Sequence, residues 1–170
     1  IEPGVVIKVN QRYYGYLSVS GALKAIGNAD NKIIFTCISD DSVSGDTNND
    51  GTATVPNNND WQGIDFTGTA SDTENILKNC EIRYCGYSSY WNGTIRITDC
   101  RVVMDSIKVN FSYSGALSIF GSARMSEDNP HYKNAHQVAR LFLMRDFQLY
   151  QVAAPELWRR LIEVVQKVSR

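Results

Sequence analysis

Between residues 46 and 51 the chain reads Asp46-Thr47-Asn48-Asn49-Asp50-Gly51. Oxygens at alternate positions, from Asp46, Asn48 and Asp50, can wrap a hard cation, and Gly51 permits the sharp turn this needs. The next ligand in such a loop is a backbone carbonyl, here that of Thr52. Calcium is the expected cofactor. The twelfth position is Asn57 rather than the bidentate glutamate of an EF-hand, and no helical pattern flanks the loop. This is therefore not an EF-hand. Asp40, Asp41 or Asp60 could add oxygens. The competing reading is a polar surface loop that binds nothing. The insertion, about residues 40–60, is longer than most connections, and long connections tend to carry function.

Other residue types suggest weaker chemistry. Cys37, Cys80, Cys85 and Cys100 include no C-x-x-C pair and have no histidine nearby. Zinc and thiol catalysis are therefore not expected. A buried row of small apolar thiols fits better, with Cys80 and Cys100 stacked on adjacent repeats. A disulfide would need an oxidising compartment, and spacing cannot assign one. Trp61, Tyr90 and Trp91, with Tyr13, Tyr14, Tyr16, Tyr84 and Tyr87, could line a glycan-binding face or simply fill turns. Glycosidase chemistry needs two carboxylates at a fixed separation. Asp65, Asp99 and Asp105 are available, but nothing in the sequence pairs them. Asn92-Gly93-Thr94 and Asn110-Phe111-Ser112 match the glycosylation sequon, a short pattern that also arises by chance.

The elements that must hold these residues are strands. Val5–Val9, Lys32–Thr36, Gly63–Phe66 and Thr94–Ile97 are rich in β-branched residues and are bounded by Gly, Asn, Asp or Ser. Gly63-Ile64, Gly93-Thr94-Ile95 and Gly115-Ala116-Leu117 each open such a run. Asn79-Cys80-Glu81-Ile82 resembles Asp99-Cys100-Arg101-Val102, twenty residues later. Degenerate repeats of this length suggest stacked units that bury one another's apolar faces.

The last third differs. All 12 glycines and all 4 cysteines lie before residue 122, and both histidines, His131 and His136, lie after residue 130. Residues 1–130 carry 10 Lys+Arg against 15 Asp+Glu, and residues 131–170 carry 7 against 3. An acidic portion thus faces a basic one, with a net charge of −1 over 170 residues. That balance excludes a generally basic nucleic-acid binder. No apolar run approaches the ~20 residues of a membrane span. Ala116–Gly121 reads as a strand, Asn129-Pro130 as a helix start, Phe147–Val152 as a strand, and Pro155 as the opening of a second helix. The order β-α-β-α fits a parallel α/β arrangement.

Two family resemblances refine this. Ile1-Glu2-Pro3-Gly4-Val5-Val6-Ile7-Lys8, Leu17–Gly27, Ile33-Ile34-Phe35-Thr36 and Asp60-Trp61-Gln62-Gly63-Ile64 occur in order. Over about 110 residues they resemble the right-handed parallel β-helix repeats of bacterial secreted and surface proteins. That family includes polysaccharide lyases and hydrolases as well as non-catalytic modules. Ser118-Ile119-Phe120-Gly121-Ser122-Ala123-Arg124, followed by Asn129–Ala135 and Ala139-Arg140-Leu141, resembles the start of the cytokinin-riboside phosphoribohydrolase (lysine-decarboxylase-like) family. That resemblance implies a Rossmann-like origin and a phosphate cradle at Gly121, Ser122, Ala123 and Arg124. No glycine follows Gly121. The family's later P-G-G-x-G-T-x-x-E segment is thus absent, and phosphoribohydrolase catalysis is not expected.

The expected fold is therefore mainly β: a short right-handed parallel β-helix over residues 1–112, with a β-α-β-α tail over 113–170 acting as its cap. The expected function is a non-catalytic module, structural or glycan-binding and calcium-stabilised, on a truncated or chimeric chain. The alternatives are a fragment of a polysaccharide lyase or hydrolase and a nucleotide-phosphate-binding remnant. Expected partners are a polysaccharide or a second copy, met through the tail helices or the open solenoid end. The β-helix portion favours an extracellular or surface location, and the tail a cytoplasmic one.

Overall fold

In the computed structural model, the structure describes residues 1–10, 14–68, 70, 74–86, 93–120 and 124–125. Ten strands form: β1 (Val6–Val9), β2 (Tyr16–Val19), β3 (Lys24–Ile26), β4 (Ile33–Cys37), β5 (Gly63–Phe66), β6 (Ile76–Arg83), β7 (Ile95–Thr98), β8 (Arg101–Asn110), β9 (Leu117–Phe120) and β10 (Arg124–Met125). They form two curled sheets. One runs β1-β4-β6-β8-β10 with β3 also on β6, and the other runs β2-β5-β7-β9. Every strand pairing is parallel. Parallel strands need crossovers, and here every connection except β3–β4 carries the chain from one sheet to the other.

The core lies between the sheets and follows from alternation. Ile33, Phe35 and Cys37 point inward from β4, Ile64 and Phe66 from β5, and Ile95 and Ile97 from β7. Parallel register stacks like on like: Ile64 pairs with Ile95, and Ile95 with Leu117. The three glycine-opened runs thus lie on successive strands of the second sheet. The long strands β6 and β8 bend at Asn79 and Ser106, both with φ near +50° (48° and 55°). The bends coincide because Lys78 pairs with Asp105 and Cys80 with Ile107. The first half of β6 therefore pairs with β3 and the second half with β4.

This corrects the expected fold. The strands lie in two curled parallel sheets and no helix occurs among the described residues, so a regular β-helix solenoid is not what they form. The physical reason is that no constant repeat exists. Partners in the first sheet are 28 residues apart at Val6 and Ile34, 47 at Ile33 and Cys80, and 27 at Cys80 and Ile107. In the second sheet they are 47 apart at Tyr16 and Gly63, and 22 at Ile95 and Leu117. The twenty-residue echo of Cys80 in Cys100 is not a structural repeat either. Cys80 stacks on Ile107, whereas Cys100 sits in the turn between β7 and β8, its thiol donating to the Phe66 carbonyl. The run at 117–120 is β9, paired with β7. The helices expected from Pro130 and Pro155, and the strand at Phe147–Val152, lie outside the described residues.

All four cysteines are buried. Desolvation by burial pushes the thiol of Cys37 up to about 12, Cys80 to about 11 and Cys85 to about 12. For Cys37 the neighbouring Asp60 and Asp40 carboxylates add to the effect. A thiol held protonated is a poor nucleophile, and all four side chains belong to the hydrophobic core. No helix among the described residues is long and apolar enough to cross a membrane.

Candidate metal centre

The connection between β4 and β5, residues 38–62, carries the candidate site. Its base is pinned at both ends. Asp40, fully buried, accepts from Thr36 Oγ1 at 2.7 Å, from Ser42 N at 3.2 Å and from the Ser42 hydroxyl, and lies 3.6 Å from Arg83 Nη1. Asp60, at the far end and also buried, accepts from Asn57 N at 2.9 Å, and its own amide donates to the Tyr84 carbonyl at 3.1 Å. Neither carboxylate is therefore spare. Arg83 also donates to Glu81 at 2.7 Å, and Glu81 accepts from Asn110 Nδ2 at 2.6 Å.

Above this base the loop turns on Asp46. Its carboxylate accepts the amides of Gly51 at 2.8 Å and Asp50 at 3.2 Å. Asn49 and Gly51 supply the turn, with φ of 56° and 68°. The Gly51 amide is the largest reason that the Asp46 carboxyl is held below its usual range; the Asp50 and Asn49 amides add to it, and Lys8 contributes less. Lys8, from β1, also donates to the Gly45 carbonyl at 2.6 Å. A carboxyl depressed in this way stays charged in mild acid. The support it gives the turn is present above its unfolded value and is lost as pH falls through the folded one.

Ligand-capable oxygens of Asp41, Asp46 and Asp50 lie within 4.8 Å of one another. Among the described residues, four buried side-chain polar atoms have no hydrogen-bond partner, and three belong to this loop: Asp41 Oδ1, Asn48 Oδ1 and Asp50 Oδ1. Buried polar atoms are normally satisfied, so a cluster of three calls for an explanation, and an ion is one. The other side-chain polar atoms of Asn48 and Asp50 are engaged. Asn48 Nδ2 donates to Asp50 Oδ2 at 2.7 Å and to Thr54 Oγ1 at 3.1 Å, and the Thr54 hydroxyl donates to Asp50 Oδ2. The donor set is oxygen only and carries three formal charges, which suits calcium or magnesium rather than a softer metal.

The sequence-level candidates fall into three groups. Asp46, Asn48 and Asp50 come together, joined by Asp41 from the three acids named as helpers. Thr52 is exposed on the turn, and the Thr54 hydroxyl two residues on donates to Asp50. Trp61 is fully buried, with its indole N–H donating to the Arg83 carbonyl at 2.7 Å, and presents no face to a sugar. Tyr90 and Trp91, like Tyr13 and Tyr87, lie outside the described residues. Exposed rings are instead those of Tyr14, Tyr16, Phe111 and Tyr113. Gly121, Ser122 and Ala123 also lie outside the described residues, and Arg124 opens β10.

Of the carboxylates suited to sugar hydrolysis, Asp65 and Asp105 lie on different sheets. Asp65 accepts a two-pronged contact from Arg96, at 3.0 and 2.8 Å, on the second sheet. Asp105 pairs with Lys78 on the first sheet, and Asp99 occupies the turn after β7. The network of Thr36, Asp40, Arg83, Glu81 and Asn110 went unnoticed in the sequence. Its members are up to 74 residues apart, and only the parallel register gathers them. No protein-family model, curated protein or solved structure matches this chain, so neither family resemblance gains support from comparison.

Proposed function

We propose that the chain is a non-catalytic parallel-β module whose long β4–β5 loop is held by a calcium ion. The observation that carries this reading is the approach of Asp41, Asp46 and Asp50 carboxylate oxygens to within 4.8 Å of one another, in a loop where buried oxygens of Asp41, Asn48 and Asp50 lack hydrogen-bond partners. Four protein oxygens leave room for water to complete the six to eight that calcium takes.

Thermal melting tests the proposal. An ion that binds only the folded state adds about 2.7 kcal/mol when present at 100 times its Kd. For a chain of this length each kcal/mol raises Tm by about 2–4 °C. Melting in millimolar calcium should therefore exceed melting in EGTA by about 5–10 °C. The double substitution Asp46→Asn with Asp50→Asn should abolish the difference. Superimposable curves for the native chain would refute the reading.

A further inference from the structure

Asp50 is followed directly by Gly51. In such a pair the amide nitrogen of the second residue can attack the side-chain carbonyl carbon of the first, and glycine carries no side chain to hinder the approach. Gly51 is exposed, and a Cβ built on it would meet nothing within 4 Å. Both reacting groups are engaged by side chains of the kind that assist this attack. The Gly51 N–H donates to Asp46 Oδ2 at 2.8 Å, so a carboxylate already faces the proton that the nitrogen must lose. Asp50 Oδ2 accepts from Asn48 Nδ2 at 2.7 Å and from the Thr54 hydroxyl, so two donors converge on one carboxyl oxygen. Asp50 Oδ1 has no hydrogen-bond partner. The two oxygens are therefore unequal. Oδ2 is placed to leave, and Oδ1 to remain as a carbonyl.

We propose that Asp50–Gly51 is a self-modifying site, at which the folded loop promotes conversion of the aspartyl linkage to an isoaspartyl one. The Gly51 nitrogen bonds to Asp50 Cγ, and the Cγ–Oδ2 bond breaks. The oxygen leaves as water, taking the carboxyl proton and the amide proton, the latter passed through Asp46. The product is a five-membered succinimide. Water then adds at the Asp50 main-chain carbonyl carbon and opens the ring, so that the backbone runs through Cβ and Cγ. One water is released and one consumed, no electrons are transferred, and water is the sole co-reactant. The resulting backbone is one atom longer, and the former main-chain carbonyl becomes the free carboxylate. Asp46 thus has a chemical role as the base and Thr54 as a donor to the leaving oxygen, whether or not a cation binds beside them.

Incubation of the full chain in EGTA tests this, with the linkage at position 50 read by electron-transfer fragmentation in a mass spectrometer. The chelator keeps the result independent of calcium binding. Isoaspartate at position 50 should accumulate about tenfold or more faster in the folded chain than in the same chain unfolded in concentrated urea. Asp46→Asn keeps an acceptor for the Gly51 amide and removes the base, so the folded rate should fall about tenfold. Thr54→Val removes one donor from the leaving oxygen and should also slow the reaction. Melting curves of the variants confirm that each is folded at the incubation temperature. A folded chain that isomerises no faster than the unfolded one overturns the proposal. So does an Asp46→Asn rate equal to the parent's or above it, which would make the Asp46 contact a brace for the turn and not a base.

Discussion

Replacing Arg83 by methionine should cost about 3–5 kcal/mol, because it strips the shared cation from two carboxylates that are out of water. Asp40 is fully buried and the Glu81 side chain is 10% exposed. Both lean on the Arg83 guanidinium, at 3.6 and 2.7 Å. Thr36, Ser42 and Asn110 donate to them, but none of these carries charge. Methionine fills much of the same volume, so the loss reports electrostatics rather than a cavity. At about 2–4 °C per kcal/mol, Tm should fall on the order of 10 °C. Arg83→Lys should recover part of it, since lysine keeps the charge but not the planar fork that serves two acceptors. A loss under ~1 kcal/mol would place the cluster with ordinary surface ion pairs.

Gly63→Ala should be comparably damaging, for a steric reason. Gly63 opens β5 with φ of +130°, a region L residues rarely adopt. A methyl there would lie 2.1 Å from the Thr94 carbonyl oxygen and 2.8 Å from its carbon. That carbonyl cannot withdraw freely. It accepts the Ile64 amide at 2.8 Å, and the Thr94 amide is held by Gly115 on the next strand at 2.8 Å. Strain of about 1–3 kcal/mol in the backbone, with a similar amount from forced displacement, gives a loss of about 2–6 kcal/mol. Gly21 is the control. Its added Cβ meets nothing within 4 Å, and Gly21→Ala should lie within about 0.5 kcal/mol of the parent. Equal denaturant midpoints for the two variants would show that β5 and β7 are not packed as described.

Much of the strand content was legible, for an identifiable reason. Lys32–Thr36, Gly63–Phe66 and Thr94–Ile97 are β-branched runs closed by turn residues, and β4, β5 and β7 sit within a residue or two of them. The bent strands were not legible. β6 and β8 cross Asn79 and Ser106, polar residues of the kind that elsewhere mark strand ends, yet pairing resumes beyond each bend. Register was the larger failure. Matching Cys80 to Cys100 by local likeness gave a twenty-residue repeat, while side-chain stacking placed Cys80 on Ile107. Register is set by which face meets the core, and short alternating runs fit several offsets equally well.

The candidate site was legible where its geometry is local. Asp46, Asn48, Asp50 and Gly51 form one turn, and their spacing carries the information. Choosing among Asp40, Asp41 and Asp60 required the fold. Asp40 and Asp60 face the sheets and are consumed there, which leaves Asp41 turned toward the loop. Trp61 misled because an aromatic side chain beside a polar loop resembles a sugar platform, whereas its neighbours Gly63–Phe66 form a wholly buried strand.

On the proposed reading, Asp41, Asp46, Asn48 and Asp50 jointly hold one calcium ion. Calorimetric titration of calcium into the chelator-treated chain tests it most directly. One ion should bind per chain, with the binding heat lost in the Asp46→Asn, Asp50→Asn double variant and greatly weakened in Asp41→Asn. No saturable heat in the native chain, or undiminished binding in the double variant, would contradict it.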